Sequence, residues 1–343
     1  MNSSMALSFD KFSGKTVLVT GSTGFTGRDV TKKLVAAGAN VRSIARESSV
    51  LGDLEPLGIE WYRGDVFDAD LIKKACEGVH YIFHLAAAFR EVKADDAGYA
   101  KVHVESTQLL AKEVVGKPEF ECFVHVSTVG VHGHIEIDRA DEEYRFSPGD
   151  GYQRTKLDGE LWLNKFASEN NLPFSIIRPG PIFGPGDMRL LKIFRMVKKG
   201  YLLILGKGKC IYHLVHVDDL SNTILLAGIT PAARSEVMIS ACDDPIPLED
   251  MAKHIADSVG IKPAKVVRLP LFPFYLASDI CKLICTPLGI DPPIYRRRVD
   301  FYTKDRKFDN SKIKKLLDYE YKFGNQAGID DTAKWYVDND LLG

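Results

Sequence analysis

The run Val17-Leu18-Val19-Thr20-Gly21-Ser22-Thr23-Gly24-Phe25-Thr26-Gly27 reads as an apolar strand that enters a glycine-rich turn and opens a helix. Its glycines, at 21, 24 and 27, follow the spacing TGxxGxxG. The first suits a tight turn, the second lets a backbone approach a pyrophosphate, and the third lets helix and strand pack closely. The N–H groups and positive dipole end of a helix starting near Phe25 make an anion site without a charged side chain. Gly21, Thr23, Gly24, Phe25, Thr26 and Gly27 are therefore the expected contacts of a dinucleotide. A ligand-free strand-to-helix turn also needs glycine, so the motif alone leaves both readings open.

The second strand of the same βαβ unit, Asn40 to Arg46, ends where an adenine ribose should lie, and it ends on Arg46. An acidic residue there would accept hydrogen bonds from the ribose hydroxyls of NAD, whereas a guanidinium complements a 2′-phosphate. The expectation is NADP, with NAD as the alternative, and Ser48 and Ser49 stand ready as further donors.

Strand-like runs at 16–20, 41–45, 60–64, 80–86, 122–127 and 174–178 alternate with helical segments. This is the layout of an α/β chain with a doubly wound parallel Rossmann sheet and a smaller C-terminal substrate lobe. Pro179, Pro181, Pro185 and Gly186 mark the exit from the sheet. The expected division is 1–181 as the dinucleotide-binding domain, with 214–230 returning to it, and 182–343 mainly as substrate lobe and tail. The apolar stretch 266–290 is broken by Pro270 and Pro273 and interrupted by Asp279 and Lys282, which argues against a membrane span. It is read as a core helix of the lobe, with a substrate lid or a peripheral membrane contact as alternatives.

With 45 basic and 46 acidic side chains the net charge is −1, so there is no electrostatic case for a nucleic-acid partner. The cysteines at 76, 122, 210, 242, 281 and 285 form no CxxC and no Cys/His cluster, which suits buried thiols in a reducing compartment. No metal site is expected: His132 and His134 lack the further ligands one requires. The start MNSSMALSFDKFSGK has no signal-peptide pattern, and the default location is the cytoplasm. Arg296-Arg297-Arg298 reads as a solvated or substrate-lobe cluster, or as a grip on a substrate phosphate or carboxylate.

Tyr152 and Lys156 form YxxxK within a helical segment, which puts both on one face. A tyrosine near pKa of about 10 is a poor acid or base at neutral pH, and an adjacent ammonium favours its phenolate. Ser127 and Thr128 end the strand that precedes this helix, at the sheet edge where α/β ligands bind. A hydroxyl there can donate to a substrate oxygen, or can cap the strand end.

Glycine turn, sheet-end hydroxyl and YxxxK in this order resemble the extended short-chain dehydrogenase/reductase family, from about Lys15 to Leu342. Gly64-Asp65-Val66 looks like its adenine-contacting turn, and His84-Leu85-Ala86-Ala87 like the segment beside the cofactor. Ile177-Arg178-Pro179-Gly180-Pro181-Ile182-Phe183-Gly184-Pro185-Gly186 resembles its loop at the nicotinamide. The tail segments Phe308 to Lys312 and Thr332 to Tyr336 are similar as well. The resemblance implies Tyr152 as general acid/base, Lys156 as its pKa-lowering and ribose-binding partner, and Thr128 as substrate hydroxyl donor with Ser127 as neighbouring candidate. It adds Asp65, Val66, Leu85, Ala86, Ala87, Pro179, Gly180 and Ile182 as cofactor contacts, and a homodimer through helices near 97–115 and 150–169. His103 departs from the pattern, because the family often has asparagine there.

Within the family, sugar-nucleotide enzymes often carry an asparagine where this chain has Pro181, and an arginine within the stretch that here reads Cys210-Ile211-Tyr212-His213-Leu214. Dehydratases place Asp-Glu where Val129-Gly130 follow Thr128. The remaining resemblance is to 3β-hydroxysteroid dehydrogenases, sterol-decarboxylating dehydrogenases and dihydroflavonol reductases. It implies hydride transfer to or from a ketone or secondary alcohol of a hydrophobic or aromatic small molecule. The alternative is a nucleotide-sugar epimerase with tightly bound NAD.

Overall fold

The computed structural model describes residues 7–88, 96–208, 210–285, 287 and 305–342, and the arginines at 296–298 lie outside them. The strands β1 (Thr16–Thr20), β2 (Asn40–Ala45), β3 (Glu60–Arg63), β4 (Tyr81–His84), β5 (Cys122–Val126) and β6 (Phe174–Pro179) are those the alternation of apolar runs leads one to expect. A seventh strand, β11 (Glu236–Ser240), joins the same sheet, whose order is β11-β6-β5-β4-β1-β2-β3. Every pairing in this sheet is parallel, so all C-terminal ends open on one edge. The order reverses between β1 and β4, and a crevice outside these ends is where such sheets take their ligands.

Near-continuous apolar strands fit a sheet covered on both faces. On one face, helices α1 (Phe25–Ala36) and α7 (Val217–Ile229) bury Val30, Leu34, Leu220 and Ile224 against Val17, Val19 and Val124. On the other face, α2 (Ala69–Ala75), α4 (Ser106–Val114) and α5 (Gly151–Asn170) bury Ile72, Leu110 and Leu163 against Leu18, Ile82 and Phe123. The segment before α4 is unusual: α3 (Asp96–Ala100) passes into a π-helical turn at Lys101–Glu105.

The chain leaves the sheet after β6. β7 (Ile182–Phe183) pairs with β10 (Val215–His216) rather than with the main sheet, while Val215 and α7 share the core cluster on one face of that sheet. A separate core joins Phe194 of α6 (Leu191–Lys198), Leu202 and Ile204 of β8 (Tyr201–Leu205) and Ile255 of α8 (Leu248–Ser258) to Tyr336 of the helix Asn325–Asp338. β13 (Lys265–Leu269) and α9 (Phe272–Cys285) occupy the apolar stretch read above as a core helix. Among the described residues α9 is a surface helix, with Phe272 74% and Leu283 76% exposed, because it packs through a narrow side marked by buried Ser278. No helix of the described residues is long and apolar enough to cross a membrane. Among the described residues the cysteines form no disulfide.

Candidate active site

The turn between β1 and α1 is closed too tightly for side chains. A Cβ on Gly27 would stand 2.0 Å from the Gly21 carbonyl oxygen, and one on Gly21 would stand 2.8 Å from the Ala86 nitrogen. Gly24 is the N-cap of α1 and supplies no side-chain cap, which leaves the first-turn amide dipoles for an anion. Thr23, Phe25 and Thr26 complete this cradle. Leu85, Ala86 and Ala87 border it from the end of β4, and Pro179, Gly180 and Ile182 leave the same sheet edge from β6.

At the adenine end, exposed Arg46 follows the last residue of β2. Arg63, which pairs in register with Ala45, donates from Nη1 to the Arg46 carbonyl at 3.1 Å and to the Ser49 carbonyl at 3.2 Å. The 46–49 turn is thereby clipped beside Asp65 and Val66, which follow β3.

Asp150 caps α5 by accepting from the Gln153 amide at 2.8 Å, which places Tyr152 in the first turn and Lys156 one turn later. Buried Lys156 donates from Nζ to the Val126 carbonyl at 3.0 Å and the Ala86 carbonyl at 3.4 Å. It thus ties the end of β5 to the loop that closes the glycine cradle. Thr128 accepts from the Gly130 amide at 3.0 Å, the capping role expected of a strand-end hydroxyl, and among the described residues its own proton has no acceptor. The Ser127 hydroxyl is buried and makes no hydrogen bond among the described residues.

His103 lies edge-to-face with Tyr152, ring centroids 5.2 Å apart. Its Nε2 accepts from the Ala88 amide at 3.1 Å, so its proton sits on Nδ1, which donates to Thr155 Oγ1 at 2.8 Å. Burial, with the Lys156 ammonium nearby, pushes the His103 pKa down to about 2 and keeps the ring neutral. His84 is held similarly, between Thr20 Oγ1 at 2.7 Å and Ser106 Oγ at 3.1 Å. Burial lowers Lys156 to about 8 against the opposing pull of Glu160. Burial also raises Tyr152 to about 12, and the cation that opposes this rise is Arg189. The lowering expected from Lys156 is not among the influences on this phenol, where desolvation dominates.

Glu160, Asp187 and Arg189 went unremarked in the motifs above, and Arg178 was named there only within the segment 177–186. Glu160 and Arg178 form a buried ion pair that also engages His132 Nε2 and the Glu142 carbonyl. Glu160 was legible as the i+4 neighbour of Lys156, on the same helix face. Asp187 and Arg189 follow the Gly184-Pro185-Gly186 turn and have no periodic signal.

The model of the NAD dependent epimerase/dehydratase family matches residues 17–238, more than half of the chain, from Val17 in β1 to Met238 in β11. The chain belongs to this family. Within it, the chain is similar to a putative dihydroflavonol 4-reductase of Synechocystis, 26% identical with 93% of each chain covered. It is similar to 3beta-hydroxysteroid-dehydrogenase/decarboxylase isoform 1 of Arabidopsis thaliana, 26% identical over 92% of this chain and 78% of that protein. Among solved structures, an epimerase of Methanothermobacter thermautotrophicus superposes with a TM-score of 0.75 at 26% identity, covering 97% of this chain and 95% of that one. Membership makes the chain an NAD(P)-dependent enzyme of the extended short-chain dehydrogenase/reductase type. The cradle fits the dinucleotide the family implies, since glycines at 21 and 27 let the turn close on its own backbone and on the end of β4, and the N-terminus of α1 carries no side-chain cap.

Proposed function

We propose that this chain is an NADP(H)-preferring reductase or dehydrogenase of a ketone or secondary alcohol on a hydrophobic or aromatic, sterol- or flavonoid-like molecule. The carrying observation is that Lys156 ties together the ends of β4 and β5, beside the glycine cradle and the hydroxyls of Ser127 and Thr128. A bound dinucleotide supplies or accepts the hydride at its nicotinamide. Tyr152 moves the proton at the substrate oxygen. With its pKa raised to about 12 the phenol is protonated at neutral pH, which suits it to act as the acid of a reduction. Thr128, with Ser127 beside it, donates to the same oxygen. Charge grows there in the transition state, so both bonds strengthen as the reaction proceeds. Lys156 holds the nicotinamide ribose.

The substrate class rests on the named relatives and on Tyr212, His213 and Leu214, which are 2%, 0% and 2% exposed and offer no guanidinium to a diphosphate. We assign dinucleotide binding to 1–181 with 214–230, and the substrate lobe to the remainder. A homodimer would form on the outer face of α5, where Leu161 is exposed. The family description and the methanogen epimerase favour a second reading, an epimerase that retains NAD.

Calorimetric titration of the cofactor-stripped protein with NADPH and NADH separates the two. The expected result is NADPH binding at least tenfold tighter than NADH, with the preference lost in Arg46→Asp. Tight NAD binding without that preference would favour the epimerase.

A further inference from the structure

Arg189 belongs to none of the motifs that mark the dinucleotide cradle, yet it projects over it. Its guanidinium lies over the ring of Phe25, the first residue of α1, with 5.7 Å from Cζ to the ring centroid. Two of its nitrogens are anchored: Nε donates to Asp187 Oδ1 at 2.8 Å, and Nη2 to the Ile182 carbonyl. Asp187 is 2% exposed and accepts from the Arg189 amide as well, at 2.9 Å, so this anchor is built into the fold. Gly186 brings the loop onto the same ring, since a Cβ there would touch Phe25 at 3.4 Å. The third nitrogen, Nη1, makes no hydrogen bond among the described residues. The charge also reaches Tyr152, whose phenol it favours toward ionisation.

The first turn of α1 offers an anion only main-chain amides, and the Phe25 side chain adds no donor. A guanidinium fixed above that turn by two other bonds is pre-organised to supply the missing charge. We propose that Arg189 clasps the pyrophosphate of the bound dinucleotide from the side opposite the glycine turn, joining the 179–189 loop to the cofactor. This rests on the dinucleotide reading of the cradle.

The test is calorimetry of wild type and Arg189→Gln with NADPH, with ADP-ribose, which carries the pyrophosphate, and with AMP, which does not. Loss of a charge-assisted pair predicts Kd for NADPH and ADP-ribose weakened about tenfold or more, with AMP within about twofold of wild type. Unchanged affinity for ADP-ribose overturns the clasp, and a lower kcat/KM at unchanged cofactor Kd assigns Arg189 to substrate instead. Equal weakening of ADP-ribose and AMP also overturns it, as a general distortion of the site. Should Arg189→Gln fail to fold, Arg189→Lys serves. It keeps the charge but not the fork, and a selective loss for ADP-ribose is again required. A wild type that binds neither NADPH nor ADP-ribose would refute the cradle reading itself.

Discussion

At the scale of single residues, the departure at His103 acquires a physical role. An imidazole spans two donor-acceptor partners that are far apart in sequence, the Ala88 amide and Thr155 Oγ1. The first belongs to the loop whose Ala86 carbonyl receives Lys156, and the second to the helix turn that presents Tyr152. Replacing His103 with alanine leaves the buried Ala88 amide unsatisfied, which costs about 1–3 kcal/mol. The expected outcome for His103→Ala is a loss of stability of that size in denaturant titrations, together with weaker dinucleotide binding. His103→Asn, which is shorter but can still accept, should recover part of both. A variant as stable and as tightly binding as wild type would show that the two bonds position nothing.

At the scale of elements, α5 reaches the sheet through a gap that the π-helical turn and one glycine create. The His103 carbonyl is held by Thr107 Oγ1 at 2.8 Å, and a Cβ on Gly159 would stand 2.3 Å from that carbonyl oxygen. Gly159→Ala therefore cannot be absorbed by a flexible side chain, and backbone must move. Overpacking of this kind costs about 1–3 kcal/mol, and here it also shifts the helix that bears Tyr152 and Lys156. The expected result is a kcat lowered at least tenfold, with a smaller weakening of dinucleotide binding through the displaced Lys156. A fall in stability without any fall in kcat would separate helix placement from catalysis. This packing also marks where sequence stops being informative. β1 to β6 stood out as apolar runs, and Tyr152 and Lys156 as an i,i+4 pair, because both signals are local. β11 did not, because its partner β6 is separated from it by the whole β7–β10 excursion and its sequence EVMIS is short. The π-turn and the Arg189 contacts depend on chain segments that meet only in three dimensions.

At the scale of the whole molecule, the fold buries neutral histidines under and beside the site. His84, His103, His125 and His213 are all 0% exposed, and burial is the first cause that lowers each pKa, to about 3 for His84 and about 4 for His213. His125 has no hydrogen-bond partner at either ring nitrogen among the described residues. In the unfolded chain each ring takes up a proton near pH 6.5, which the folded chain refuses until far lower pH. Unfolding then binds protons, so stability is complete above about 6.5 and falls as the pH drops below it. Each such histidine contributes about 1.4 kcal/mol per pH unit in that window. Glu142, whose burial raises its carboxyl pKa, works in the opposite direction and offsets part of one of them. Carboxylates with lowered values, such as Asp53 and Glu121, lose their contributions only at lower pH. Denaturant titrations at pH 7, 6 and 5 should therefore show a loss of more than about 2 kcal/mol between 6 and 5. His125→Phe removes two unsatisfied nitrogens and one proton from this linkage, so it should flatten the slope by one proton. It should also raise stability most at pH 5. A stability curve flat from pH 7 to 5, or a His125→Phe slope equal to that of wild type, would show that these rings are hydrated or paired in solution.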